Sequence, residues 1–418
     1  MQSWGQITDT GMRVLIVTQY FYPENFKSND IAFELKKRGY EVDALVGIPN
    51  YPEGRFYKGY GYFKKRREVI DGVRVFRVFN FPRGTKSSAL GLAFNYLSYS
   101  FHASLWAVWF SLFRKHYDAL IVHQTSPVTQ AIPAVILGKL SKAKVYTWVL
   151  DVWPEAFISG SGITNKTAIR LLSGITRWVY NGSHRILISS RRFIDSVNRK
   201  GDFSDKTEYF PNWSEDFLLT GKAEKIPQIP DGFVIMIAGT MGVSQNLEAI
   251  AKTALLLKDR PEVKWIFVGD GSRRRWLESF IKENLLDNTV FWLGRHPYYT
   301  MPSFYSKADA LLVSLNENYD DLKMVVPARL QSYLSSGKPV LAMIGPGGRE
   351  LVEEADCGYA VGGNDYEGLA KVIKEKVLTD KEGFKGKGNN GRKYFLQHFT
   401  KKNCMDHLVN ILTQDYAG

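Results

Sequence analysis

Val326–Ala342, VPARLQSYLSSGKPVLA, reads as a loop, a short helix and the start of a strand. Pro327 suits a first helical position, where a missing N–H costs nothing, and Gly337 followed by Pro339 is a helix stop. Ahead of it, Ala308–Leu315 (ADALLVSL) is an apolar run of strand length, and Lys338–Met343 (KPVLAM) is another. Strand, turn, helix and strand in that order form a βαβ unit whose helix starts at the end of a parallel sheet. Unpaired N–H groups and the helix dipole attract anions there. A second glycine-rich turn, Gly345-Pro-Gly-Gly348, again lies between a strand and a helical pattern. Two such turns predict a nucleotide-bearing ligand.

The same alternation extends both ways along the chain. Met12–Gln19 (MRVLIVTQ), Glu41–Gly47, Val73–Val78, Ala119–Gln124, Lys144–Asp151, Arg185–Ser190 and Thr207–Phe210 read as strands, with helical patterns between them. Phe233–Gly242 (FVIMIAGTMG) and Val263–Gly271 (VKWIFVGDG) restart the series in the second half. Strands alternating with helices on both sides of the middle predict an α/β protein of two doubly wound domains. We place them at 12–214 and 215–392, with the Pro-rich Lys222–Gly232 as a linker. Residues 393–418 read as a closing helix that packs back on the first domain. The glycine-rich Lys381–Asn390 (KEGFKGKGNN) reads as a mobile loop.

Its 418 residues allow two or three domains, and a net charge of +13 asks for an anionic partner. No nucleic-acid module stands behind the basic clusters, so we expect nucleotide, phosphate or an anionic membrane rather than nucleic acid. Two distant cysteines, Cys357 and Cys404, exclude a disulfide scaffold and a thiolate zinc site. The opening, Met1–Gly11, is polar and lacks a secretory pattern. Ser87–Phe113 (SSALGLAFNYLSYSFHASLWAVWFSLF) carries no Lys, Arg, Asp or Glu and is long enough for a bilayer of roughly 30 Å. Its polar residues and its basic flanks (Lys64, Lys65, Arg66, Arg67, Arg83, Lys86, Arg114, Lys115) fit a helix lying at an interface. A buried core helix and a membrane span are the alternatives.

Gly239-Thr240-Met241-Gly242 lies where a strand meets a helix, so its backbone can approach a pyrophosphate. It matches neither G-x-G-x-x-G nor a Walker loop, and an ordinary βα turn explains it equally well. Gly269-Asp-Gly271 repeats the pattern. Arg329 and Ser332, three apart, share a helix face. Arg329 can fork to phosphate oxygens, Gln331 or Ser332 can take a ribose hydroxyl, and Lys323 is a second cation. Each cation reads equally as a solvated side chain. In the first half, Asp151 and Glu155 follow a buried-type strand, and His123 ends another; all three are acid/base or hydroxyl-binding candidates. An N-cap Asp, a helix-starting Glu and a core His are the plain alternatives. The loop Pro23–Ser28, with Asn25, Lys27 and Ser28, is expected to line a cleft. No Asp-x-Asp occurs, no G-x-S-x-G elbow occurs, and the histidines lack ligand spacing, so we expect no metal and no cofactor.

Together these residues resemble the GT-B glycosyltransferases of family 4, retaining enzymes that use nucleotide sugars. The resemblance rests on YPENFKSNDIAFELKKRGYEV after the first strand, Pro211-Asn212-Trp213, Gly269–Gly271, Leu293-Gly294-Arg295, Ala308-Asp309 and Ser336-Gly337-Lys338-Pro339-Val340. Asp151–Glu155 (DVWPE) and Pro327–Arg329 look like the subgroup that builds bacterial O-antigen, capsule and exopolysaccharide, fucosamine transferases included. Two departures stand out. The family's paired glutamates fall on Met324 and Ser332, and the Arg and Lys that neutralise its donor diphosphate fall near Thr240 and Gln245 or Asn246.

The resemblance implies two Rossmann-like domains facing across a cleft, with the donor held by Gly239, Thr240, Gly242, Gly269, Arg295, Lys323, Arg329, Gln331 and Ser332. It implies transfer from a UDP- or GDP-linked sugar to a glycan or polyprenyl-diphosphate-linked acceptor. The enzyme would be cytoplasmic, on the inner face of a bacterial plasma membrane. The missing acidic pair leaves a catalytically silent, GT-B-shaped binding subunit as the alternative, and a nucleotide-sugar epimerase behind it.

Overall fold

A computed structural model describes residues 11–85, 89–113, 116–221 and 223–417. The chain forms two compact units: Met1–Ser189 with Phe193–Phe210 and His407–Gly418, and Ser190–Arg192 with Pro211–Asp406.

In the first unit the strands are β1 Arg13–Thr18, β2 Glu41–Val46, β3 Arg67–Ile70, β4 Val73–Arg77, β5 Ala119–Gln124, β6 Lys144–Val149, β7 Arg185–Ile188 and β8 Thr207–Tyr209. They form one sheet in the order β3-β4-β2-β1-β5-β6-β7-β8. Every pairing is parallel except β3 with β4, and Val14 pairs with both Val42 and Ala119. The central strands β1 and β5 are buried along their whole length. That burial is why they read as continuous apolar runs rather than alternating ones. Strand order reverses between β1 and β5, so the loops leaving their carboxyl ends flank a crevice.

The second unit contains β9 Phe233–Ala238, β10 Val263–Val268, β11 Val290–Gly294, β12 Ala310–Ser314, β13 Val340–Met343 and β14 Gly358–Val361, in the order β11-β10-β9-β12-β13-β14. All pairings are parallel, and the reversal falls between β9 and β12. The helix Ala328–Ser336 starts one residue later than its sequence predicts, with Pro327 as the extended N-cap, and Gly337 at φ 74° ends it.

One expectation changes, and one alternative falls. Lys381–Asn390 is not a loop: it opens the helix Lys381–His398, capped by the Asp380 carboxylate accepting from the Gly383 N–H. Two of the helix's glycines serve close packing instead. A Cβ on Gly388 would sit 2.1 Å from the Gly337 carbonyl oxygen, and one on Gly391 would sit 2.9 Å from both Cys357 Cβ and Leu334 Cδ2. The apolar segment forms the helix Ala89–Phe113, and it is not wholly buried. Asn95, Tyr99, Ala103, Ala107 and Phe110 face inward, and the Tyr99 hydroxyl donates to the Leu45 carbonyl at 3.1 Å. Leu90, Phe94, Leu97, Phe101, Leu105 and Leu112 form an outward stripe at helical spacing, each 53–74% exposed. Among the described residues no helix is long and apolar enough to cross a membrane. Lys86, Arg114, Lys115 and Lys222 lie outside the described residues.

Residues 407–418 complete the first unit. Leu408, Ile411 and Leu412 are buried there. The Asp415 carboxylate accepts from Arg185 Nη2 at 2.7 Å and lies 3.2 Å from His184 Nε2.

Candidate active site

In the second unit the chain leaves β9 into Gly239, whose φ of +124° suits glycine alone. A Cβ there would lie 2.8 Å from Arg329 Nη2. Arg329, in the first turn of its helix, therefore lies flat against the Gly239–Thr240 backbone. Its Nη2 donates to the Thr240 carbonyl at 3.1 Å, and its Nη1 is buried with no partner among the described residues. One turn on, Tyr333 meets both backbone groups of Ala238, its hydroxyl accepting from the N–H at 2.9 Å and donating to the carbonyl at 3.3 Å. Burial pushes that hydroxyl's pKa up, and the nearby guanidinium opposes the shift. Arg329 is thereby anchored where β9 ends, beside the reversal point of the sheet.

Gly269 and Gly271 press on this turn from β10. A Cβ on Gly269 would sit 1.8 Å from the Gly239 oxygen, and the Met241 N–H donates to the Asp270 carbonyl at 3.0 Å. The Gly242 N–H is taken by Gln245 Oε1 at 2.9 Å. Gly239, Thr240, Gly242, Gly269 and Arg329 thus form one cluster.

The other predicted donor residues stand differently. Gln331 is buried, and in the orientation that satisfies both ends of its amide it donates back to the Pro327 and Ala328 carbonyls. That corrects its expected reach to a ribose. Ser332 Oγ lies 3.3 Å from Ser214 Oγ, next to the neighbourhood of Tyr298, whose hydroxyl donates to Glu215 at 2.8 Å. Lys323 is half exposed and paired with Asp320 at 2.8 Å. Arg295 stands exposed after β11, two strands from β9. The Gly345–Gly348 turn starts a helix, but its glycines admit the Lys323–Met324 backbone, with a Gly347 Cβ 2.1 Å from the Met324 oxygen. Close packing, rather than a phosphate cradle, accounts for those glycines.

In the first unit His123 ends β5, fully buried between Phe26 and Trp148, with ring centroids at 6.3 and 5.3 Å. Burial, aided by the Lys27 charge, drops its pKa to about 3, so it is a neutral imidazole, and its Nδ1 has no partner among the described residues. Asp151, just past β6, accepts from both the N–H and hydroxyl of Ser126 at 2.8 Å. Burial raises its pKa despite those two hydrogen bonds. Glu155 is committed elsewhere: its carboxylate accepts from Lys200 at 2.7 Å, Arg199 at 2.8 Å and Ser196 at 2.9 Å. Burial works against its charge, but Lys200 and Arg199 outweigh it and hold Glu155 below the usual range. A carboxylate so paired is a poor general base. Ser28 is buried and donates to the Tyr20 carbonyl at 3.0 Å, which corrects its expected exposure to a ligand. Asn25 is exposed, and Lys27 lies 3.9 Å from Asp30.

The sequence reading missed Glu24. Its buried carboxylate accepts from the N–H groups of Asn50 and Tyr51 at 2.7 Å and of Phe21 at 3.3 Å, joining the loops after β1 and β2. Burial lifts its pKa to about 7. The only advance signal was its place in the loop after the first strand. Among the described residues no three His, Cys, Asp or Glu side chains gather as a metal site.

Comparison with known proteins identifies the two domains. Residues 28–213 match the glycosyl transferase 4-like domain, and residues 222–394 match the glycosyl transferases group 1 family. A protein of Escherichia coli (strain K12) assigned by name to colanic acid biosynthesis as a glycosyl transferase, WcaI, is 24% identical over 316 residues, 72% of this chain and 75% of that one. Among solved structures, sucrose-phosphate synthase from Thermosynechococcus elongatus superimposes with a TM-score of 0.74 at 14% identity, covering 97% of this chain and 99% of that one. Anabaena HepE in complex with UDP gives 0.68 at 14% identity, covering 96% and 100%.

Proposed function

With a 4-like domain followed by a group 1 domain, this chain is a GT-B glycosyltransferase, and from that premise we propose that it is a retaining enzyme of cell-surface polysaccharide assembly. It moves a sugar from a UDP- or GDP-sugar onto a lipid-linked glycan intermediate. The observation that carries the donor assignment is Arg329, a guanidinium with one buried, unpaired nitrogen lying on a glycine turn at the β9/β12 reversal. A diphosphate supplies the missing acceptor oxygens, and Arg329 stabilises charge on the departing nucleoside diphosphate. The UDP in the HepE structure supports a nucleotide ligand for this fold.

The acceptor enters the first unit near Asp151 and residues 25–28, where the loop after β1 runs into the helix Lys27–Lys37. His123 and Asp151 offer a neutral imidazole and a raised-pKa carboxyl for acceptor hydroxyls, rather than a strong base. The outward stripe of Ala89–Phe113 and the fully exposed Phe63 beside Lys64 and Lys65 favour a peripheral site on an anionic membrane, the inner face of a bacterial plasma membrane.

Calorimetry with UDP, GDP and their sugars tests the donor site, and Arg329→Gln is expected to weaken the preferred nucleotide about tenfold or more. Unchanged affinity removes Arg329 from that role. Transfer onto polyprenyl-diphosphate glycans, with product anomers read by NMR, tests the rest; an inverted anomer rules out retention.

A further inference from the structure

Arg83 lies in the loop after β4, and its guanidinium has no carboxylate partner among the described residues. It sits over the ring of Tyr51 at 5.0 Å and near that of Tyr96 at 5.9 Å. Its Nη2 reaches the Tyr96 hydroxyl at 3.4 Å, and its Nε is buried without a partner. A guanidinium stripped of part of its water and left without an anion is costly unless one arrives. The loop is fixed for the purpose: the Arg83 N–H donates to Asn50 Oδ1 at 3.1 Å, and Asn50 is itself bound by Glu24. Glu24 does not neutralise Arg83, because its two oxygens are turned to three backbone N–H groups.

The surroundings say what kind of anion fits. On one side Tyr51 packs on Phe26 at 5.4 Å, and Phe26 in turn reaches His123 at the end of β5. On the other side Phe81 packs at 6.2 Å on Phe94, a member of the outward apolar stripe, and Tyr96 belongs to the same helix. The cation therefore stands between a lipid-type surface and the sheet crevice.

We propose that Arg83, walled by Tyr51 and Tyr96, binds the phosphate groups of a lipid-diphosphate-linked acceptor, holding its sugar toward the crevice and its lipid along the apolar stripe. The assignment rests on the lipid-linked-acceptor reading above. Guanidinium forks to phosphate oxygens, and tyrosine hydroxyls add donors that a monoanionic headgroup uses less fully.

The test floats the full chain with neutral phosphatidylcholine vesicles carrying a long-chain polyprenyl diphosphate, and separately with vesicles carrying phosphatidylglycerol at matched charge. Arg83→Gln is expected to lose about tenfold in binding to the diphosphate vesicles and to bind the phosphatidylglycerol vesicles unchanged. Equal losses on both make Arg83 a general contact for anionic lipid and overturn the proposal, as does no loss on either. Melting temperature and nucleotide binding by the second unit report folding; if Arg83→Gln is unfolded, Arg83→Lys and Tyr51→Phe take its place with the same readout. Because the assay reads binding rather than transfer, it stands apart from the reaction: an enzyme that transfers only to soluble acceptors overturns the function while leaving this site to be scored.

Discussion

Gly239 and Arg329 work as a pair, and each constrains what the other can become. Gly239→Ala asks a side chain to adopt φ +124° and to share space with a guanidinium 2.8 Å away. We expect a stability cost of about 1–3 kcal/mol by thermal melting, together with loss of nucleotide binding as Arg329 is displaced. Glu24 makes a pH prediction. Its folded pKa of about 7 lies above the ordinary 4.5, so the folded state holds the proton more tightly than the unfolded chain. The stability from that proton is complete below about pH 4.5, and is lost as pH rises through about 7. In Glu24→Gln this slope disappears, at the cost of the Phe21 hydrogen bond, about 1 kcal/mol. Melting temperatures of the two proteins across pH 4.5–8 check it; parallel curves refute the assignment.

At the scale of elements, two helices show how residue type and position part company. In Lys381–His398, Gly386 has open space around its Cβ direction, whereas a Cβ on Gly388 meets the Gly337 oxygen at 2.1 Å. Gly386→Ala should stabilise by about 0.5–1 kcal/mol, since alanine loses less entropy in a helix. Gly388→Ala should destabilise by about 1–3 kcal/mol through overpacking. Opposite signs in urea melts are the expected result. In Ala89–Phe113, Trp106 is a poor probe of the outer face because it packs on Phe76 and carries Arg67 over its ring. Leu97→Gln with Phe101→Gln reads that face directly, and should cut pelleting with anionic vesicles about tenfold or more while leaving melting unchanged.

The same elements show what was legible beforehand. The central strands announced themselves because burial on both faces demands an unbroken apolar run: β1, β2 and β5 lie within one residue of their predicted limits, and β9 starts at Phe233 as read but ends at Ala238, where the glycine turn begins. Strand β3, on the sheet edge and half exposed, offered only the ambiguous REVI. The glycines of Lys381–Asn390 look like turn formers until Gly337 is seen against Gly388. At the sites, Arg329 was readable because a helix start and a glycine turn are local patterns. Glu24 and Arg83 were not, because their environments are made by Asn50, Tyr51 and Tyr96, far off in sequence.

At the scale of the whole molecule, the +13 charge and the apolar stripe act at different ranges. On the proposed peripheral-membrane reading, charge would bring the protein to an anionic surface and be screened by salt, whereas apolar contact would not. Raising ionic strength should therefore lower vesicle binding of the native protein, but not abolish it; complete release by salt refutes the stripe's part. The second large-scale feature is the return of residues 407–418 to the first unit. Removing them exposes the partners of Leu408, Ile411 and Leu412 and leaves Arg185 without Asp415. At about 1.5–3 kcal/mol for each buried side chain, the loss rivals the whole stability of an ordinary domain. The expected outcome is a lowered first melting transition with nucleotide binding by the second unit retained.

That return also sets a timetable for synthesis. A domain made first on the ribosome usually folds first, but here the first unit lacks part of its core until residues 211–406 have been translated. At about 5–20 residues per second that wait lasts roughly 10–40 s, during which the sheet of β1–β8 lacks the packing of Leu408, Ile411 and Leu412 and stays open to chaperones. The later-made unit is thus the one able to finish folding first.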